Sequence, residues 1–92
     1  MNQEIVCQLC GSEHNITFHH LIPKTCHKNK WFRKNFTREE MRTRGIDVCR
    51  RCHSFIHKQY SEKYLGRHLN TLELLLADDK LQPFIEWAKK RQ

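Results

Sequence analysis

The chain has 92 residues, with 17 Lys and Arg against 10 Asp and Glu, a formal net charge of +7 with neutral histidines. This length predicts one small domain with a modest core, for which a structural metal would be a useful stabiliser. No stretch approaches the ~20 apolar residues of a membrane span, so we expect a cytoplasmic protein with no membrane partner. The basic balance favours a polyanionic partner, most simply DNA, over a basic protein without such a partner.

Four of the five cysteines form two Cys-x-x-Cys pairs, Cys7 with Cys10 and Cys49 with Cys52. In a reducing compartment such pairs are metal ligands more often than disulfides. Four thiolates around one ion favour tetrahedral, structural Zn²⁺, with no position left open for chemistry. The alternative, four unrelated thiols, is disfavoured by the duplicated spacing. The fifth cysteine, Cys26, is expected to be a free thiol without a role.

The first predicted element is a short β-strand over residues 16–19, which is rich in β-forming side chains and ends at the pair His19-His20. Pro23 prevents its continuation as a paired strand. Adjacent strand residues point to opposite faces, so the two imidazoles suit two different roles. One can face a metal ion while the other, His20, stands beside it as a general base.

Residues 24–45 carry eight basic side chains against two acidic ones, a local balance of +6, with three aromatic residues interleaved. Thr37 and Glu40 fit a capping box, which predicts a short helix from Arg38 to about Thr43. The alternative is a solvated loop, but the mixture of basic and aromatic residues favours a surface that contacts phosphates. The expected DNA-binding residues are Lys24, Lys28, Lys30, Arg33, Lys34 and Arg38.

A second strand is predicted over residues 46–48, and a helix follows it to about residue 60. On that helix His53 and His57 lie one turn apart on one face, so both can reach one ion. If the first strand packs on this helix, His19 completes a three-nitrogen site with open positions. Any single histidine is more often a surface or core residue, and three others lack such spacing: His14, His27 and His68.

Residues 61–92 are predicted to form a C-terminal helical extension. A cap at Asn70 or Thr71 precedes a Leu-rich helix, and a last helix is expected from near residues 78–79, with Pro83 in its first turn. The apolar side chains could close the core or join two chains. Closing the core is the expected outcome for so small a protein, as a monomer or weak homodimer.

Two segments, 19–23 (HHLIP) and 48–57 (VCRRCHSFIH), resemble the HNH endonuclease family. Together with the leading Cys7-x-x-Cys10, they are typical of its zinc-stabilised, four-cysteine branch. The motif-bearing residues cover about 7–57. The resemblance implies an α+β fold with a small ββα-metal core over about residues 5–60, a pair of zinc knuckles and C-terminal helices, all in a single domain spanning residues 1–92.

The resemblance also implies a metal-dependent endonuclease that hydrolyses DNA to 5′-phosphate and 3′-hydroxyl ends. It makes His19, His53 and His57 ligands of the catalytic metal, and His20 the base that activates water. One site per chain and no dedicated recognition helix predict nicking with low sequence specificity. Nitrogen ligands favour Mn²⁺, Ni²⁺ or Co²⁺ over Mg²⁺. The alternatives are a non-catalytic, zinc-stabilised DNA-binding module and an RNA-directed nuclease.

The chain departs from the family pattern at the middle Asn, which braces the loop that carries the base. That position falls about nine residues before His53, where Arg44 stands. Thr43 and Asp47 lie close to it in the sequence. These three residues are the candidates for bracing His20.

Overall fold

The computed structural model describes residues 5–91, and within them the chain is α+β. A two-stranded sheet is combined with six helices, in the order β1 (Ile16–His20), α1 (Lys30–Asn35), α2 (Arg38–Thr43), β2 (Gly45–Cys49), α3 (Arg50–Gln59), α4 (Glu62–His68), α5 (Leu72–Ala77) and α6 (Gln82–Lys89). A 3₁₀ turn over Lys24–Cys26 precedes α1. Within the described part of the chain, none of the helices is long and apolar enough to cross a membrane.

The two strands are antiparallel, with Ile16 opposite Cys49 and His20 opposite Gly45. Helix α3 follows β2 without a linker because Cys49 serves as its N-cap, its Sγ accepting the backbone N–H of Cys52 at 3.4 Å. Helix α3 contacts both strands. The two predicted strands and the predicted helix are therefore confirmed, and they form a ββα unit in sequence order.

The main hydrophobic core joins the cysteine knuckles to the C-terminal helices. Its buried members include Ile56 of α3, Leu65 of α4, Leu75 of α5 and Ile85 of α6. The rings of Phe55 and Phe84 stack with centroids 4.0 Å apart, which fastens α6 to α3. The C-terminal extension therefore closes the core, as expected, with one face of each helix.

A second, smaller core lies inside the segment between the strands, which we call the insert (residues 21–44). Its buried members are Ile22, Cys26, Phe32 and Met41, and two further aromatic rings, Trp31 and Phe36, pack against them. The aromatic residues that alternate with basic residues in the sequence of the insert therefore pack with one another in this core. Burying Phe32 completely gives the insert a hydrophobic centre of its own.

Helix α1 was not predicted, because its six residues show no long apolar period. It begins where the side chain of Asn29 accepts the backbone N–H of Trp31 at 2.9 Å. Helix α2 has the predicted bounds and the predicted capping box, with reciprocal bonds between Thr37 and Glu40. Local capping therefore sets both helices of the insert.

The last helix begins later than the predicted position near residues 78–79. The carboxylate of Asp78 accepts the backbone N–H groups of Lys80 and Leu81, each at 3.1 Å, and so holds a turn instead. Helix α6 then starts at Gln82 with Pro83 in its first turn.

Candidate metal centres

The four paired cysteines come together as predicted, and all four are buried. Their sulfur atoms lie within 4.8 Å of one another, with Cys10 Sγ and Cys49 Sγ 3.7 Å apart. In the first knuckle the backbone N–H of Cys10 donates to Cys7 Sγ at 3.4 Å, and Gly11 follows with a φ of 84° that favours glycine. Cys49 and Cys52 repeat this bond. The cluster could hold one zinc ion.

The pKa shifts of the cysteine thiols show how this cluster suits a cation. A hydrogen bond from the Cys52 thiol lowers the pKa of Cys7, and the same bond together with burial raises the pKa of Cys52. Burial also raises the pKa of Cys10. Thiolates that bind a metal release their protons to solution, so a dication can take the place of the shared proton. With four sulfur donors, a tetrahedral ion has no open position.

Three histidines form a second cluster beside the first. His19 lies on β1, and His53 and His57 lie on α3, with one nitrogen of each within 4.8 Å of the others. The ring centroid of His19 lies 5.2 Å from that of His53 and 5.4 Å from that of His57. His19 is buried, His53 half-buried and His57 exposed, so the cluster opens to solvent on one side.

His19 is the residue whose surroundings are hardest to explain without a ligand. Its side chain is 0% exposed, and neither ring nitrogen has a hydrogen-bond partner within the described residues. A buried, unsatisfied polar group costs about 1–3 kcal/mol. Such groups in native proteins usually have a partner, which can be a bound ion. The imidazole therefore fits a metal ligand better than a packed core residue.

Thr17 fixes the orientation of His53. Its hydroxyl donates its only proton to the backbone carbonyl of Val48 at 2.9 Å. The bond of 2.8 Å between Thr17 Oγ1 and His53 Nδ1 must therefore be donated by the imidazole N–H. Nδ1 carries the proton, which leaves Nε2 free for an ion. The sequence analysis missed Thr17, although it lies two residues before His19 and so on the same strand face.

The surroundings of His19 and His53 favour the neutral imidazole, the form that binds metal. Burial lowers the pKa of His19 to about 3, helped by the nearby charges of His53 and His57. Burial, His57 and Arg50 together lower the pKa of His53. Each shift disfavours protonation of a nitrogen that an ion would use.

His20 lies next to the histidine cluster and outside it, as predicted. Its ring meets the edge of Phe18 at a centroid distance of 4.9 Å. It shares a pocket of 180 Å³ with two members of the cluster, and the pocket is lined by Phe18, His20, Pro23, Lys24, His53, His57 and Glu62. Partial burial, with the charges of Lys24 and His27, lowers the pKa of His20.

The three candidates for bracing His20 have different contacts. The carbonyl of Arg44 accepts the backbone N–H of Leu21, which follows His20, at 3.1 Å. The guanidinium of Arg44 reaches the carbonyl of Asn70 at 3.0 Å. Thr43 bonds within α2, and the backbone of Asp47 bonds to the first knuckle. Arg44 is therefore the candidate that contacts the chain directly after His20, through its backbone.

The six predicted DNA-binding side chains are all exposed. Lys24 lines the His20 pocket, and Lys30 and Lys34 lie outside both that pocket and the groove described next. The other three line a groove of 740 Å³ in the insert, together with Arg42, which the prediction omitted. The basic residues that line this groove are His27, Lys28, Arg33, Arg38 and Arg42. Within residues 5–91 none of them forms an ion pair.

Comparison with known proteins gives one informative match. No protein-family model matches the chain, and no solved structure matches it. The uncharacterized protein YisB of Bacillus subtilis (strain 168) is 33% identical over 89 residues, which cover 94% of this chain and 75% of YisB. Identity at this level over almost the whole chain shows a shared family. The chain therefore belongs to the same family as YisB.

Proposed function

We propose that this protein is an HNH-type, metal-dependent endonuclease that hydrolyses phosphodiester bonds in DNA. The observation that carries the proposal is His19, which is fully buried beside two other imidazoles and whose ring nitrogens have no hydrogen-bond partner within residues 5–91. The order of the ββα unit and the position of His20 beside the cluster support it. With one such site per chain, the expected product is a nick of low sequence specificity.

An ion held by His19, His53 and His57 would supply Lewis-acid stabilisation of the charge that develops on the phosphate and the leaving oxygen. His20 accepts the proton of the attacking water at a ring nitrogen. The lowered pKa of His20 supports this role because it leaves the imidazole unprotonated at neutral pH. Lys24, in the same pocket, provides positive charge for the phosphate.

The donor sets separate the two metals. Four thiolates select structural Zn²⁺, whereas three imidazole nitrogens favour Mn²⁺, Ni²⁺ or Co²⁺ over the oxygen-seeking Mg²⁺. Reduced cysteine ligands also suit a cytoplasmic location. We therefore propose a zinc-stabilised nuclease whose catalytic ion is a transition metal.

The decisive test is nicking of supercoiled plasmid in Mg²⁺, Mn²⁺, Co²⁺, Ni²⁺ and Zn²⁺ by the native chain and by His20→Ala. Loss of a general base should slow nicking by about 10²–10⁴-fold. His68→Ala, an exposed histidine outside both clusters, is the matched control and should cut like the native chain. If zinc-loaded protein binds DNA but cuts with no ion, the second candidate function, a DNA-binding module, replaces the nuclease.

The insert groove makes the DNA-binding prediction more specific. Lys28→Gln with Arg33→Gln removes two charges from the groove, whereas Lys30→Gln with Lys34→Gln removes two from outside it. If the groove contacts phosphates, the first pair lowers the affinity for duplex DNA, and the second changes it little. Equal losses from both pairs would reduce the role of the insert to net charge alone.

A further inference from the structure

A second basic pocket, which we call the knuckle pocket, lies where the start of α3 meets the end of α6. Its volume is 450 Å³, and its basic lining consists of His14, Arg50, Arg51 and Arg91. No acidic side chain lines it. Within residues 5–91 the guanidinium groups of these three arginines form no hydrogen bond and no ion pair with the protein. Their N–H donors are therefore available to a ligand.

Trp87 holds two of these guanidinium groups in place. The Cζ atoms of Arg51 and Arg91 lie 5.3 Å and 4.9 Å from the centre of its ring. A guanidinium stacked on a ring keeps its in-plane N–H donors, so both groups are restrained without losing their capacity to bind an anion.

The thiolate cluster explains only part of this charge. Cys10 and Cys49 line the pocket, and four thiolates around one Zn²⁺ carry a net negative charge that offsets some of it. However, within residues 5–91 the guanidinium groups of the pocket form no hydrogen bond with the protein. Two of the three are held on Trp87 instead. Positive charge with unused donors therefore remains on the solvent side.

The knuckle pocket is connected to the histidine cluster along one surface. Arg50 also lines an adjoining depression of 420 Å³ together with Asn15, Ile16 and Thr17. Thr17 in turn bonds to His53. A strand of nucleic acid bound at the histidines could thus reach the pocket past Arg50.

We propose that the knuckle pocket binds backbone phosphates of the DNA whose scissile phosphate lies at the histidine cluster. This inference rests on the proposed function. Guanidinium groups recognise phosphates through paired N–H donors, which is the chemistry that the pocket offers. Lys24 lines the pocket of His20, and Arg50 lines both the knuckle pocket and the depression that contains Thr17. The proposed DNA contacts therefore include Lys24 beside His20 and the arginines of the knuckle pocket.

The test compares two double variants in zinc-loaded His20→Ala protein, which leaves the DNA intact. Arg51→Gln with Arg91→Gln removes two charges from the pocket, and Lys89→Gln with Lys90→Gln removes two exposed charges near the same end of α6. The salt dependence of duplex binding is measured for each. The slope of log K against log salt becomes less steep by about 0.9 for each lost phosphate contact. The slope of the pocket variant should therefore be shallower than the native slope by about 1.8. The lysine variant should keep the native slope.

Equal slopes for the two double variants would overturn the inference. A second arm uses inorganic phosphate as the probe and follows the indole N–H signal of Trp87. Saturable binding of phosphate at Trp87 without duplex binding would assign the pocket to a small anion and also overturn the inference. Nicking by the native chain is measured separately, so a slope difference without nicking would refute the nuclease and retain the phosphate pocket.

Discussion

The cysteine cluster and the histidine cluster both take side chains from helix α3, yet they differ in access to solvent. All four cysteines are buried, whereas the histidines range from the buried His19 to the exposed His57. Cys52 and His53 are adjacent on α3, so their side chains lie on neighbouring faces of the helix. Cys52 belongs to the closed cluster and His53 to the open one. A single helix can therefore take part in two candidate metal sites on adjoining faces.

The second difference is what surrounds each cluster. The cysteines belong to the main core, together with residues from α3 to α6. The histidine cluster lies at the edge of that core and opens into the pocket that it shares with His20. We expect changes in the first cluster to act on the whole fold, and changes in the second to act on metal binding alone.

The largest expected effect comes from Cys52→Ser. Structural zinc contributes about 10–16 kcal/mol in small zinc domains, as much as the whole ~5–15 kcal/mol stability of a typical domain. The variant should lose its zinc and its cooperative thermal transition, as measured by metal content and circular dichroism. Cys26→Ala, at a buried cysteine outside the cluster, should keep the zinc. A Cys52→Ser protein with one bound zinc and a native Tm would contradict the structural role.

A smaller effect on the fold is expected from His57→Ala. Because His57 is exposed, its removal should change the free energy of unfolding by only about 0.5 kcal/mol or less. Binding of Mn²⁺ or Co²⁺ to zinc-loaded protein, followed by calorimetry, should be lost or severely weakened. His68→Ala provides the control for removal of a surface imidazole. Unchanged binding in His57→Ala would remove this residue from the proposed ligand set.

Thr17→Val is expected to lower the metal affinity of the histidine cluster less than His57→Ala does. It removes the hydrogen-bond partner of the ligand His53 and leaves all three ligands in place. Loss of such a partner typically lowers metal affinity by about 10–100-fold. The thiolate zinc should remain, and Thr17→Ser, which keeps the hydroxyl, should restore the affinity of the second site. The same calorimetric titration measures all three proteins. Native affinity in Thr17→Val would show that the hydroxyl does not orient His53.

The smallest expected effect on the fold is that of a weak chelator. A brief treatment should remove an ion from the open histidine cluster and leave the buried thiolate zinc in place. Metal analysis should then show one zinc per chain, with an unchanged far-ultraviolet circular dichroism spectrum. Simultaneous loss of both metals would mean that solvent access does not separate the two sites.

The sequence alone determined the features that depend on neighbours along the chain. The paired cysteine spacing, both strands, the start of α3 and the capping box of α2 follow from local geometry and short-range hydrogen bonds. The opposite orientations of His19 and His20 follow from the pleat of a strand. Helix α1 was missed because its six residues show no long apolar period. The start of α6 was placed too early because the carboxylate of Asp78 accepts two backbone N–H groups and holds a turn there.

Only the tertiary structure decided how distant segments meet. It turned the aromatic residues of the insert into a small core around Phe32, since burial depends on contacts that no local pattern contains. It joined Thr17 to His53 across 36 positions of sequence. It also brought the guanidinium of Arg51 on α3 over the ring of Trp87 on α6. Such pairings arise from packing between elements, which spacing along the chain does not encode.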